Sequence, residues 1–180
     1  MRTRSSLTGA LVLVAVGGVC SAADWRDKLA KDLPLFGHRN WIVIADSAYP
    51  AQSRDGIETV VTDADQLEVV RAVLAALDKA PHVRPVVFTD AEMKHVPEQS
   101  AKGITAYRDE LGKLLAKREV SSVLHEELIS RLDKAGATYR ILILKTKLTL
   151  PYTSVFIQLD CGYWGPEAEK KLRDALRAEK

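Results

Sequence analysis

The 180-residue sequence has only two cysteines, no marked excess of either charge and few aromatic residues, which make up 6% of it. Two thiols allow at most one internal crosslink, which excludes a disulfide-stapled miniprotein. A formal net charge of +2, from 26 basic and 24 acidic residues, is too small for a dedicated nucleic-acid protein, whose basic stripe competes with counterions along the phosphate backbone. Disorder is excluded as well: 47% of the residues are hydrophobic, and a chain of this size buries roughly two-thirds of its unfolded surface on folding. The sequence carries no phosphate loop, dinucleotide fingerprint, nucleophile elbow or zinc-helix motif.

The one long hydrophobic run lies at the start. Met1-Arg2-Thr3-Arg4 precedes an apolar run from Leu7 to Val19, and Ser21-Ala22-Ala23 follows before the polar Asp24. A basic segment, a short apolar core and small residues at the cleavage positions predict a secretory signal peptide over 1–23, cut after Ala23, and a periplasmic or secreted mature chain. The run falls short of the ~20 residues of a membrane span, so no membrane association is expected after processing. An uncleaved anchor and a lipidated Cys20 are the alternatives these residues allow. Removal of the segment takes Arg2, Arg4 and Cys20 with it, leaving 24 charges of each sign and a single cysteine, Cys161. A lone thiol forms no intramolecular disulfide, and its place after an apolar strand predicts a buried, inert group.

Across 24–180, helical and strand patterns alternate without a break in composition. This predicts a single three-layer α/β domain with a mostly parallel or mixed sheet covered by helices on both faces. Asp24 is placed to cap a helix that carries Leu29 and Leu33 and ends at Pro34. Strands are expected at Trp41 to Ala45, a continuous apolar run, and at Ile57 to Val61, Val86 to Phe88, Tyr139 to Leu144 and Val155 to Leu159. Thr62 or Asp63 is expected to cap a helix with Leu67, Val70, Leu74 and Leu77 on one face, and Ile104, Tyr107, Leu111 and Leu114 mark another. Ser121 or Ser122 is expected to cap a helix carrying Leu124, Leu128 and Leu132, stopped by Gly136, and Pro166 opens a terminal helix to about Ala178.

Ligand sites of open α/β sheets collect at strand ends. Two places qualify: Gly37-His38-Arg39-Asn40 with Asp46-Ser47-Ala48-Tyr49-Pro50 around the first strand, and Pro151-Tyr152-Thr153-Ser154 before the last. His38 can donate and accept protons near neutrality, and Tyr152, Thr153 and Ser154 supply hydroxyls for a small polar ligand. A strand rises ~3.3 Å per residue, so His38 and Asp46 stand about 25 Å apart on a straight path. A shared site then needs a bent loop or a second subunit; otherwise His38 is a connector and Asp46 caps a turn. Lys145 and Lys147, flanking Thr146, are placed to meet an anionic group or simply to solvate a strand end. Asp90, Glu92 and His95 are metal-ligating by type, but their spacing fits no metal template and favours a solvated loop. His82 and His125 read as isolated, with an exposed or capping role sufficient for His125.

These residues resemble the RbsD/FucU family of D-ribose pyranases and L-fucose mutarotases. The resemblance rests on Gly37-His38 followed by an apolar strand, on Asp46 eight residues after His38, and on Pro151-Tyr152-Thr153-Ser154 leading into another apolar strand. It covers most of residues 33 to 165 and implies an RbsD-like fold. It also implies that His38 is the catalytic proton donor, and that Asp46 and the segment Tyr152, Thr153 and Ser154 contact a monosaccharide. Lys145 or Lys147 would stand in for a further sugar contact. Family members form closed rings, so the resemblance implies a homo-oligomer, a ring-shaped decamer, with sites completed across interfaces. Interconverting the ring forms of a free sugar needs only positioned proton donors and acceptors, so no cofactor and no metal is implied. The sequence departs from the family in having Ser154 where an asparagine is usual, a short 145–150 connection, the leader and the terminal helix. These departures suggest the alternative of a non-catalytic carbohydrate-binding or assembly protein on the same scaffold.

Overall fold

The computed structural model describes residues 25–179. The leader 1–23, its cleavage after Ala23 and the cap at Asp24 lie outside them. Eleven elements follow in order: α1 (Trp25–Asp32), β1 (Trp41–Ala45), β2 (Ile57–Val61), α2 (Gln66–Leu77), β3 (Val83–Asp90), α3 (Ile104–Leu115), β4 (Val120–Val123), α4 (His125–Gly136), β5 (Ile141–Lys145), β6 (Val155–Cys161) and α5 (Pro166–Ala178). Short 3-10 turns follow α1 at Leu33–Leu35 and β3 at Ala91–His95.

All six strands form one mixed sheet in the order β2-β5-β1-β6-β3-β4. The pairs β1–β5, β2–β5 and β3–β4 are parallel, and β6 runs antiparallel to both of its neighbours. The apolar run of β1 is explained by helices on both faces. Alternate side chains of a strand point to opposite sides: Ile42 and Ile44 join Val69, Val73, Ile104 and Leu111 under α2 and α3, whereas Trp41 and Val43 join Leu128 and Leu132 of α4. The expected three-layer α/β architecture is therefore present. Fully buried Ile42, Leu142, Ile143 and Phe156 each contribute on the order of 1.5–3 kcal/mol by leaving water. Between α4 and the start of β2 the backbones nearly touch: a Cβ on Gly56 would stand 2.5 Å from Gly136 O and 2.9 Å from Tyr139 O, so only glycine fits there.

Two caps differ from the sequence reading. The carboxylate of Asp65, not Thr62 or Asp63, accepts from Leu67 N and Glu68 N and starts α2. The Thr62 hydroxyl instead donates to Lys145 O. Ser121 and Ser122 do not cap α4: they belong to β4, opposite Phe88 and Thr89 of β3. The first N–H of α4, from His125, goes to both carboxylate oxygens of Glu92 at 3.1 Å, a cap supplied by a distant part of the chain. The third strand is longer than expected and ends on Asp90, the fifth starts at Ile141, and Cys161 is half-buried rather than buried. No helix among the described residues is long and apolar enough to cross a membrane.

Candidate functional site at one end of the sheet

Because β6 is antiparallel, its first residue lies beside the last residues of its neighbours: Val155 pairs with Ile44 of β1 and with Thr89 of β3. Asp46 and Ser154, just outside these strands, and Asp90, the last residue of β3, therefore gather at a single sheet end. Ser154 Oγ donates to Asp46 Oδ2 at 3.2 Å, and Asp46 Oδ1 accepts from Ala48 N at 2.9 Å. Tyr152 turns the chain in the left-handed region at φ 57°, and its side chain stays 41% exposed. The Tyr152 ring stands edge-on to the His125 imidazole with centroids 5.6 Å apart.

His125 is oriented from behind. Its Nδ1 lies 3.0 Å from Asp90 Oδ1, and its backbone is held by Glu92. Asp90 is buried, and its Oδ2 has no hydrogen-bond partner among the described residues. Burial pushes the Asp90 carboxyl up to about 6, against the opposing pull of the His125 hydrogen bond and charge. With Asp90 ionised, Nδ1–H donates to it, and in the neutral imidazole this leaves the lone pair on Nε2. Tyr49 is buried close by, and desolvation, followed by the charges of Asp133 and Asp90, raises its phenol well above the ordinary range.

A buried polar network fixes the Tyr152–Ser154 turn from below. The carbonyl of Thr153 accepts from Tyr107 Oη at 2.8 Å and from Gln66 Nε2. Gln66 Oε1 in turn lies 2.9 Å from Thr146 Oγ1. Thr153 itself is fully buried, and its hydroxyl donates to Leu150 O at 2.8 Å, holding the turn closed. Lys145 ends β5 level with Ala45, at the same sheet end as Asp46. Lys147 points to solvent with its Nζ 3.5 Å from Asp63.

His38 lies elsewhere. The register Trp41 with Gln158 and Ile44 with Val155 places it at the opposite end of β1 from Asp46. No bent loop joins the two, so the structure brings Asp46, Tyr152 and Ser154 together but leaves His38 apart. The His38 side chain is 57% exposed, with Nε2 3.5 Å from Asp160 Oδ1. Asp160 also pairs with Arg84. Partial burial pushes the Asp160 carboxyl up, but the Cys161 N–H, Arg84 and His38 outweigh it and hold the group below its ordinary value.

Sequence reasoning missed His125 and Asp90. Both follow a rule already in use, that chemistry collects at strand ends. The obstacle was β4, whose two serines read as a helix cap and hid the strand that delivers His125. Asp90 and Glu92 hold His125 rather than forming a solvated loop. His82, the other isolated histidine, has its Nε2 3.1 Å from the carbonyls of Leu33 and Phe36. No group of three or more His, Cys, Asp or Glu side chains is arranged to hold a metal ion among the described residues.

This architecture is shared with solved structures. Bacillus subtilis RbsD complexed with D-ribose is 25% identical, covers 74% of this chain and 91% of its own, and superposes with a TM-score of 0.51. FucU from Bifidobacterium longum is 19% identical, with coverage of 74% and 94% and a TM-score of 0.52. No curated protein sequence matches the chain. The sequence model of the RbsD / FucU transport protein family matches residues 26–161, from α1 to the last residue of β6. Since that span holds the whole sheet and both of its ends, the chain belongs to the RbsD/FucU family.

Proposed function

We propose that the protein is a monosaccharide mutarotase or pyranase-like isomerase. The observation that carries this reading is the convergence of Asp46, Asp90, His125, Tyr152 and Ser154 at one sheet end of a chain in this family. The residue types suit a neutral polyol. Asp46 and Ser154 offer an acceptor and a hydroxyl, and Tyr152 adds a phenol on an exposed ring. His125, aimed by Asp90, removes the proton of the anomeric hydroxyl while a second group protonates the ring oxygen. The bond from the anomeric carbon to the ring oxygen breaks, the open-chain carbonyl rotates, and a hydroxyl closes on it again, returning both protons. No electrons are gained or lost.

His38 supplies the second proton in this reading. It reaches a strand-end cluster only when it comes from a neighbouring copy, as in the ring-shaped decamer that the family resemblance implies. The exposure of His38 supports such a role.

Saturation-transfer NMR on D-ribose and L-fucose tests the proposal. The wild type accelerates exchange between ring forms, and His125→Ala and His38→Ala each lower the rate by about 10²–10⁴-fold, the usual contribution of one positioned acid or base. Exchange at the uncatalysed rate for every sugar tried would refute it. Sugar binding without acceleration would select the second reading, a non-catalytic carbohydrate-binding protein, favoured by the Ser154 hydroxyl already being engaged by Asp46.

A further inference from the structure

The opposite sheet end has a cavity of its own. Its volume is about 540 Å³, within the ~300–1,000 Å³ of small-molecule sites, and it is lined by His38, Asp160, Tyr163, Trp164, Glu169 and Arg173, among others. Four of these six come from residues beyond Cys161, where the family match ends. The added segment leaves β6 in a fixed direction. A Cβ on Gly162 would stand 2.3 Å from Pro81 O and 2.8 Å from Val83 N, so the backbone is pressed against the start of β3.

Core packing does not explain this segment, since α5 buries no residue. Trp164 is 44% exposed, whereas Trp25 and Trp41 are each 3% exposed. Its indole is nevertheless held in place: Nε1 donates to Glu169 Oε2 at 2.8 Å, and Glu169 Oε1 accepts from Arg173 Nε at 2.6 Å. A rigid, half-exposed aromatic face thus borders a cavity also lined by an imidazole, two carboxylates and the two guanidiniums of Arg39 and Arg173. An aromatic face receives the C–H side of a sugar ring, and carboxylates and guanidinium take its hydroxyls in pairs.

We propose that Trp164 is a specificity-determining platform: it shares a cavity wall with His38, so where His38 of one copy meets the His125 cluster of a neighbouring copy the indole comes with it, and the sugar ring rests on the indole while His38 faces its ring oxygen. The assignment rests on the isomerase reading above and deepens it. The family-wide core handles the protons, and the appended segment selects the ring that lies flat on the indole.

The test uses the full chain, tryptophan fluorescence and NMR exchange kinetics, with D-ribose and L-fucose as probes. Because the other two tryptophans are buried, a saturable change in emission on titration reports Trp164. Trp164→Ala raises KM by about three- to tenfold with kcat changed by less than about twofold, and Trp164→Phe, which keeps an aromatic face, restores KM. Unchanged KM in Trp164→Ala with no emission change in the wild type overturns the platform and leaves the isomerase standing. A saturable emission change in a wild type that accelerates no exchange supports the platform as a binding surface and refutes the isomerase. A Trp164→Ala variant that alters only the mass of the assembly overturns the platform in favour of a subunit contact.

Discussion

Replacing Asp90 by asparagine should make the protein progressively more stable than the wild type as the pH rises. Asp90 is 2% exposed, and its carboxyl titrates near about 6 in the fold against an ordinary 3.8, burial being the main cause. A carboxyl raised in this way contributes stability that is fully present below about pH 4 and is lost as the pH rises through about 6. The shift of roughly two units corresponds to about 3 kcal/mol once both states are ionised. Near pH 4.5 about 1 kcal/mol of this is already gone, and near pH 7.5 nearly all of it, so about 2 kcal/mol lies between those conditions. Asparagine keeps the volume and an oxygen for the Nδ1–H of His125 but does not ionise. Any constant cost of burying its amide leaves the pH-dependent difference untouched. Urea unfolding of both proteins at the two pH values reads it directly. With a slope of about 2 kcal/mol per molar, the gap between the two midpoints should shift by about 1 M in favour of the variant at the higher pH. A midpoint difference that stays constant with pH would refute the assignment of a buried, reluctantly ionised carboxyl.

Two further substitutions probe the scaffold. Gly56→Ala drives a methyl group into the carbonyls of Gly136 and Tyr139 and should cost about 1–3 kcal/mol in urea unfolding; unchanged stability would contradict the close approach of α4 and β2. Gln66→Leu removes the amide that joins Tyr107, Thr146 and the Thr153 carbonyl, and should cost about 1–3 kcal/mol while loosening the Tyr152–Ser154 turn. Thermal unfolding reads the first effect and a raised KM in sugar exchange the second; a variant equal to wild type in both would show that the network positions nothing.

What could be read from sequence was whatever local pattern determines. Trp41 to Ala45 is apolar throughout because both faces of β1 are covered, and its aromatic and β-branched residues between polar flanks favour a strand. Pro166 likewise marks the start of α5 by its own geometry. The start of α4 was illegible because its cap is the Glu92 carboxylate, brought there by the pairing of β3 with β4. The same pairing hid the Asp90–His125 contact, which joins residues 35 apart through a strand of only four residues. Asp46, Tyr152 and Ser154 were legible as strand-end residues, and the distance of His38 from Asp46 followed from the rise of a strand alone.

The position of β6 bears on how the protein is made. It is the last strand in the chain, yet it lies inside the sheet, between β1 and β3. Those two strands have no pairing with each other, and among the described residues β6 makes the only strand pairing between the set β2-β5-β1 and the set β3-β4. During synthesis β1 and β2 wait for β5, which lies between them and ends at Lys145, and β1 and β3 wait for β6 at residues 155–161, so the two strands that complete the sheet are the last two made. Unpaired edges invite pairing with other chains. The sheet can close only after its final strand is made, so the facing edges of β1 and β3 stay unpaired until residues 155–161 are available.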